Sequence, residues 1–173
     1  WRDDSVTKPL LEVRNLKMHY QLAGTYLRAV DDVSFHINDG DTLGLVGESG
    51  CGKSTVASSI LRILPPNGKI LEGQVLLEGV DLTKVPEEEM RKVRWQRISI
   101  VFQGAMNAFD PVIKVGDQIA EALRTHESVS KKEAKERIAE LFEKVGLSPS
   151  RINSYPHEFS GGMKQRAMIA MSL

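Results

Sequence analysis

The eight residues "GESGCGKS", Gly47 to Ser54, constrain this chain more than any other stretch in it. Three glycines, a lysine and a hydroxyl residue stand in the order G-x-x-x-x-G-K-[ST]. The apolar run "TLGLV" precedes them, and "STVASSILRIL" follows, with Val56, Ile60 and Ile63 at helical spacing. Strand, glycine-rich loop and helix in that order form a phosphate-binding unit. Glycines let successive backbone N–H groups curl round phosphate oxygens without side-chain clash, and the helix adds the positive end of its dipole. The pattern assigns Gly47, Glu48, Ser49, Gly50, Cys51, Gly52, Lys53, Ser54 and Thr55 to this loop. Lys53 is expected to bridge β- and γ-phosphates, Ser54 to ligate Mg2+, and Thr55 to reach the α-phosphate. A plain turn would need no lysine–serine pair. Cys51 reads as a small residue the loop tolerates, without a redox role.

The flanking sequence supplies a fold for the loop. In "LLEVRNLKMHY" apolar residues alternate with period two, and the phase shifts at Arg14-Asn15 as it does at a bulge or bend. "AVDDVSFHI" repeats the alternation and "NDGD" is a turn, so the opening reads as antiparallel sheet. "EGQVLLEG" predicts a strand, and "EEEMRKVRWQR" a charged helix entered through Pro86, with Trp95 covering the core. "TLGLVG" and "ISIVFQ" predict buried strands, the second ending at Gln103. From there the pattern becomes helical. Ser130 with Glu133 makes a capping box; Ala134, Ile138, Leu141, Phe142 and Val145 form one apolar stripe; Gly146 is a stop. The expected organisation is an α/β chain. Residues of about 10–104 form an antiparallel β subdomain plus the phosphate-loop core, about 105–160 an inserted helical subdomain, and 160–173 a final helix.

Composition excludes some alternatives. With 41% hydrophobic and 27% charged residues among 173, the chain suits one globular unit rather than a disordered tail. Lys+Arg and Asp+Glu both number 23, which gives no argument for nucleic acid or anionic lipid as a partner. The apolar runs are strand-sized, far short of a membrane span. A single cysteine and no leader-like start favour a reducing, cytosolic setting. A first residue of Trp1 suggests a chain cut at both ends.

A phosphate loop alone does not separate kinases, GTPases, motors and transport ATPases. No N-K-x-D stretch that would read guanine is present. The second glycine pair narrows the choice. "FSGGMKQR", Phe159 to Arg166, resembles the signature motif of ATP-binding cassette proteins, and it follows the phosphate loop by about a hundred residues, as in that family. The wording of "VGESGCGKS", "FQGAMNAFDP" and "YPHEFSGGMKQRAMIAM" is similar to the ATPase subunits of oligopeptide, dipeptide and nickel importers. Met163 stands where glutamine is commoner in the broad family, but methionine is at home in the peptide-importer branch.

The resemblance implies a P-loop NTPase, RecA-like core, with ATP and Mg2+ as ligands. Gln103 matches the family's Q-loop glutamine, a catalytic and metal-facing position, and Tyr20 the aromatic that stacks on adenine, although Tyr26 is an alternative. Ser160, Gly161 and Gly162 would close over ATP held by a second subunit's loop in a head-to-tail homo- or heterodimer. The same three residues also suit an ordinary helix N-cap. Further implied partners are transmembrane permease subunits and, indirectly, a solute-binding protein, with the chain peripheral at the cytoplasmic face of the membrane.

The family takes its magnesium aspartate and catalytic glutamate from an Asp-Glu strand, and a switch histidine from further on. This sequence has no Asp-Glu dipeptide, and its histidines, His19, His36, His126 and His157, all precede the signature helix. The expected reading is therefore the N-terminal piece of an importer ATPase, incomplete at the C-terminus, that binds nucleotide without turning it over. A non-hydrolysing nucleotide-binding module and a soluble non-transport ATPase of the same superfamily are the alternatives.

Overall fold

A computed structural model of the protein describes residues 8–94, 96–102, 104, 108–127 and 129–173. The chain divides into two compact units, Trp1–Arg91 and Lys92–Leu173.

The first unit is built on a four-stranded antiparallel sheet in the order β2-β1-β3-β4, with β1 Leu11–Leu22, β2 Thr25–Ile37, β3 Gly68–Leu77 and β4 Val80–Asp81. Val13, Leu16 and Met18 of β1 are buried with Val30 and Val75. The phase shift expected at Arg14-Asn15 is a bulge: the register slips between Val13 and Leu16 against β2, and between Arg14 and Lys17 against β3. Asn15 sits at φ 46. Its N–H donates to the Ser34 hydroxyl at 2.8 Å and its side-chain amide to Asp32 at 2.9 Å. Gly73 follows from this bulge, because a Cβ there would lie 2.5 Å from the Asn15 carbonyl oxygen. Helix α1 runs Lys53–Ile60 and α2 Glu87–Val93, the latter with three glutamates in its first turn, where the helix dipole favours them, and a fully buried Met90.

Three expectations are corrected. The run "TLGLVG" forms no strand, and Leu43, Leu45 and Val46 are exposed. "ISIVF" likewise has only an isolated parallel bridge between Arg94 and Ile98, with Phe102 54% exposed. An apolar run becomes a strand only when a ladder partner satisfies its backbone, and among the described residues neither run has one. The charged helix is also shorter than expected, ending at Val93. Trp95 and Gln103 lie outside the described residues.

The second unit is helical: α3 Val115–His126, α4 Lys131–Lys144, 3-10 turns at Pro149–Asn153 and Pro156–Glu158, and α5 Gly161–Ser172. Val115, Ile119 and Leu123 of α3 recur every four residues and are buried against Ala134, Ile138, Leu141 and Phe142 of α4, with Ala167 and Ala170 of α5 in the same core. Phe142 is fully buried, and truncating such a ring costs about 3–5 kcal/mol. The Ser130–Glu133 capping box is present, and Gly146 takes a left-handed φ of 69 just past the end of α4. Gly116 has no room for a side chain, since a Cβ would meet Ile152 Cγ2 at 2.4 Å. Among the described residues no helix is long and apolar enough to cross a membrane.

Candidate functional site

The loop Gly47–Ser54 leads into α1 through Gly52, which caps the helix in the left-handed region at φ 97 and has no side chain to cap with. The N–H groups of the first turn therefore have no side-chain cap and point along the helix axis toward the loop. Gly50 is also left-handed, at φ 82, so two residues of the loop adopt a backbone that only glycine enters cheaply. The Lys53 ammonium folds back over this ring, donating to the carbonyl of Gly47 at 2.8 Å and of Glu48 at 2.7 Å, and approaching Cys51 Sγ at 3.4 Å. The Lys53 ammonium and the uncapped amides are hydrogen-bond donors that an anion can accept from. Cys51 is an exposed free thiol, and Ser54 is exposed on the first turn. No group of three or more His, Cys, Asp or Glu side chains is gathered among the described residues, so a divalent ion here would rely on the Ser54 hydroxyl and on oxygens of the anion itself.

The β1–β2 hairpin backs this loop. The register runs Met18 to Val30 and then His19 to Arg28, so Ala29 is an extra, unpaired residue of β2. Its carbonyl oxygen is where a Cβ on Gly52 would be, 2.3 Å away. Tyr20, opposite Leu27, turns its hydroxyl to Thr55 Oγ1 at 3.4 Å. Tyr26, opposite Gln21, lies on the other face and stacks on His19, with ring centroids 4.9 Å apart and planes 4° from parallel. Of the two tyrosines, the structure brings Tyr20 to α1 and leaves Tyr26 away from it. The parity of β1 carried this signal: Tyr20 shares its phase with the buried Met18. The Ala29 bulge and the Lys53 carbonyl contacts had no signature in the sequence.

Ser160 is the N-cap of α5. Its hydroxyl accepts from the Met163 N–H at 3.3 Å and its carbonyl from Lys164 at 2.9 Å. Gly161 and Gly162 are exposed, and a Cβ on Gly162 would meet nothing within 4 Å. Packing therefore does not require glycine at position 162. Arg166, one turn on, donates to the Gly146 carbonyl at 2.7 Å.

A phosphate-type loop and a Ser-Gly-Gly helix start in one chain are the pair expected of cassette ATPases. A sequence model of the family described as ABC transporter matches residues 30–173. The chain belongs to the ABC transporter family. It is 46% identical over 167 residues to the oligopeptide transport ATP-binding protein OppD of Bacillus subtilis (strain 168), a match covering 95% of this chain and 47% of that protein. Over 167 residues it is 42% identical to the dipeptide transport ATP-binding protein DppD of the same organism, covering 95% and 50%. The chain thus spans about half the length of the curated relatives it matches. Among solved structures it resembles the dimeric structure of MJ0796, a bacterial ABC transporter cassette, with a TM-score of 0.81 at 26% identity over 94% of this chain and 68% of that one. A second structure of that cassette, with the same TM-score, is a post-hydrolysis state bound to ADP and Pi. The antiparallel sheet and helices described above are those of an ABC P-loop NTPase domain, as the signature and loop implied.

Proposed function

We propose that this chain is the nucleotide-binding part of a subunit that binds and hydrolyses ATP to power an ABC importer for peptides or related small solutes. The observation that carries the proposal is the loop itself, where two left-handed glycines, an uncapped helix start and the folded-back Lys53 are gathered. The names of the relatives, oligopeptide and dipeptide transport ATP-binding proteins, support the choice of solute.

In this reading Lys53 exchanges its carbonyl acceptors for β- and γ-phosphate oxygens, a swap that leaves the ammonium hydrogen-bonded throughout. The amides of Gly47 to Gly52 and of the first α1 turn hold the phosphates, with Glu48, Ser49 and Cys51 contributing backbone only. Ser54 would offer a hydroxyl to Mg2+, and Gln103 stays a candidate ligand on its sequence motif alone. Bound Mg2+ would neutralise charge developing on the β- and γ-oxygens. Thr55 faces the α-phosphate, and Tyr20 lays its ring against adenine. Ser160, Gly161 and Gly162 close over the γ-phosphate of a second ATP-binding subunit, head to tail. A lone helix start supplies only about 0.3–1 kcal/mol, up to about 2 when partly buried, so this cap senses the γ-phosphate while the loop carries the affinity. The 1–173 chain is then one truncated nucleotide-binding domain at the cytoplasmic face of the membrane. Its helical subdomain, near Gln103 to Arg124, relays nucleotide-driven movement to transmembrane permease subunits, which a solute-binding protein feeds.

Calorimetric titration of the purified chain with Mg-ATP tests the proposal. Hydrogen bonds to charged groups contribute about 1.5–3 kcal/mol, so Lys53→Ala is expected to weaken binding by roughly tenfold or more. Equal affinity for wild type and variant would refute the site. Because the sequence has no Asp-Glu dipeptide, the chain alone is expected to release no phosphate above background. Magnesium-dependent release abolished by Lys53→Ala would overturn that second expectation.

A further inference from the structure

The β1–β2 hairpin touches the loop–helix junction twice, through different chemistry. The Ala29 carbonyl occupies the space a Cβ on Gly52 would need, and the Tyr20 hydroxyl meets Thr55 Oγ1 at 3.4 Å, in the first turn of α1. Tyr20 is half-buried, and its hydroxyl is the end of the side chain farthest from its strand. A phenol tethered at its para position presents its ring at one angle, whereas a ring without that tether rotates about χ1 and χ2.

We propose that Tyr20 is a positioning residue whose hydroxyl, through Thr55, fixes the orientation of its own ring relative to the phosphate loop, so that base and triphosphate are recognised in one register. The inference rests on the ATP-binding reading given above. Ring and phosphate cradle are thereby one preorganised unit, and the nucleoside contributes affinity only while the tether holds.

The test compares the affinities of the purified chain for ATP and for inorganic tripolyphosphate, which has no base or sugar. Tyr20→Phe keeps the ring and removes the tether. A net hydrogen bond is worth a few-fold to about tenfold in affinity, so ATP binding should fall roughly three- to tenfold while tripolyphosphate binding stays unchanged. Thr55→Val removes the tether together with the α-phosphate contact, so its loss for ATP should equal or exceed that of Tyr20→Phe; Thr55→Ser should restore both, and adding Tyr20→Phe to Thr55→Val should cost nothing further. A loss that is equal for ATP and tripolyphosphate means that Tyr20 only supports the fold of the loop, and overturns the proposal. So do additive losses in the double variant, or an unchanged ATP affinity in Tyr20→Phe with circular dichroism matching wild type. Should the wild-type chain bind tripolyphosphate but not ATP, or bind neither, the ATP-binding reading itself falls, an outcome distinct from the others.

Discussion

Replacing Gly52 with alanine is the sharpest perturbation the loop allows. Two terms add. The residue sits at φ 97, and placing an L side chain in the left-handed region costs about 1–2 kcal/mol. The new Cβ would also lie 2.3 Å from the Ala29 carbonyl oxygen and 3.4 Å from its carbonyl carbon. That obstacle is backbone, so no rotamer change relieves it; either β2 or the loop must shift, at about 1–3 kcal/mol. The sum, about 2–5 kcal/mol, should lower the melting temperature of a chain this size by roughly 5–15 °C. Gly50→Ala provides an internal control, because Gly50 is left-handed at φ 82 but has no atom within 4 Å of its would-be Cβ, and so carries only the first term. Differential scanning calorimetry on both variants, with ATP titration alongside, separates backbone conformation from contact. If Gly52→Ala melts within about 2 °C of Gly50→Ala, the close approach of Ala29 has no energetic weight and the hairpin does not back the loop.

Two further outcomes follow from other parts of the molecule. Burial alone would push the Asp81 carboxyl up. Hydrogen bonds from the Thr83 hydroxyl at 2.7 Å, from Lys84 at 3.2 Å, from the Thr83 N–H at 3.1 Å and from Gln74 at 3.2 Å outweigh it and hold the group below the ordinary aspartate value. This stability is present above the unfolded pKa of about 3.9 and lost as pH falls through the lower folded value, so Asp81→Asn should flatten the acid limb of the melting-temperature profile; parallel profiles would refute it. In the whole protein, Ser160→Arg should leave ATP binding by single subunits nearly intact and suppress ATP-driven dimerisation, and unchanged dimerisation in light scattering would remove the role given to Ser160 in closing over a partner's nucleotide.

What the sequence made legible is what neighbouring residues decide. The Ser130–Glu133 box, the α4 stripe and the Gly146 stop each depend on residues three or four apart on one helix, and each is in the structure. The bulge at Arg14-Asn15 showed as a break in a period of two. The two apolar runs misled because periodicity reports which residues avoid water and says nothing of which backbone will pair with theirs. Gln118 illustrates the same limit. It accepts from the Asp110 N–H and donates to the Asp110 and Ile113 carbonyls, fixing the loop before α3, yet nothing in "VGDQIAEALRTH" distinguishes it from a solvent-facing glutamine. At the site, "GESGCGKS" was legible because its chemistry is contiguous. The Ala29 contact was not, since it depends on the register between two strands; for the tyrosines, the parity of β1 that puts Tyr20 in phase with Met18 was a signal, though the sequence alone leaves Tyr26 open.

The bond from Arg166 to the Gly146 carbonyl gives the second unit a mechanical character. A charged strut joins the helix that starts at Ser160 to the bend where α4 ends, while Ala167 and Ala170 leave no slack between α5 and the core. The helix that starts at Ser160 cannot turn about its own axis without breaking that strut. Turning α5 therefore costs that hydrogen bond, about 0.5–1.5 kcal/mol, together with the repacking of Ala167 and Ala170 against the core, so the Ser-Gly-Gly end and the close of α4 are energetically tied.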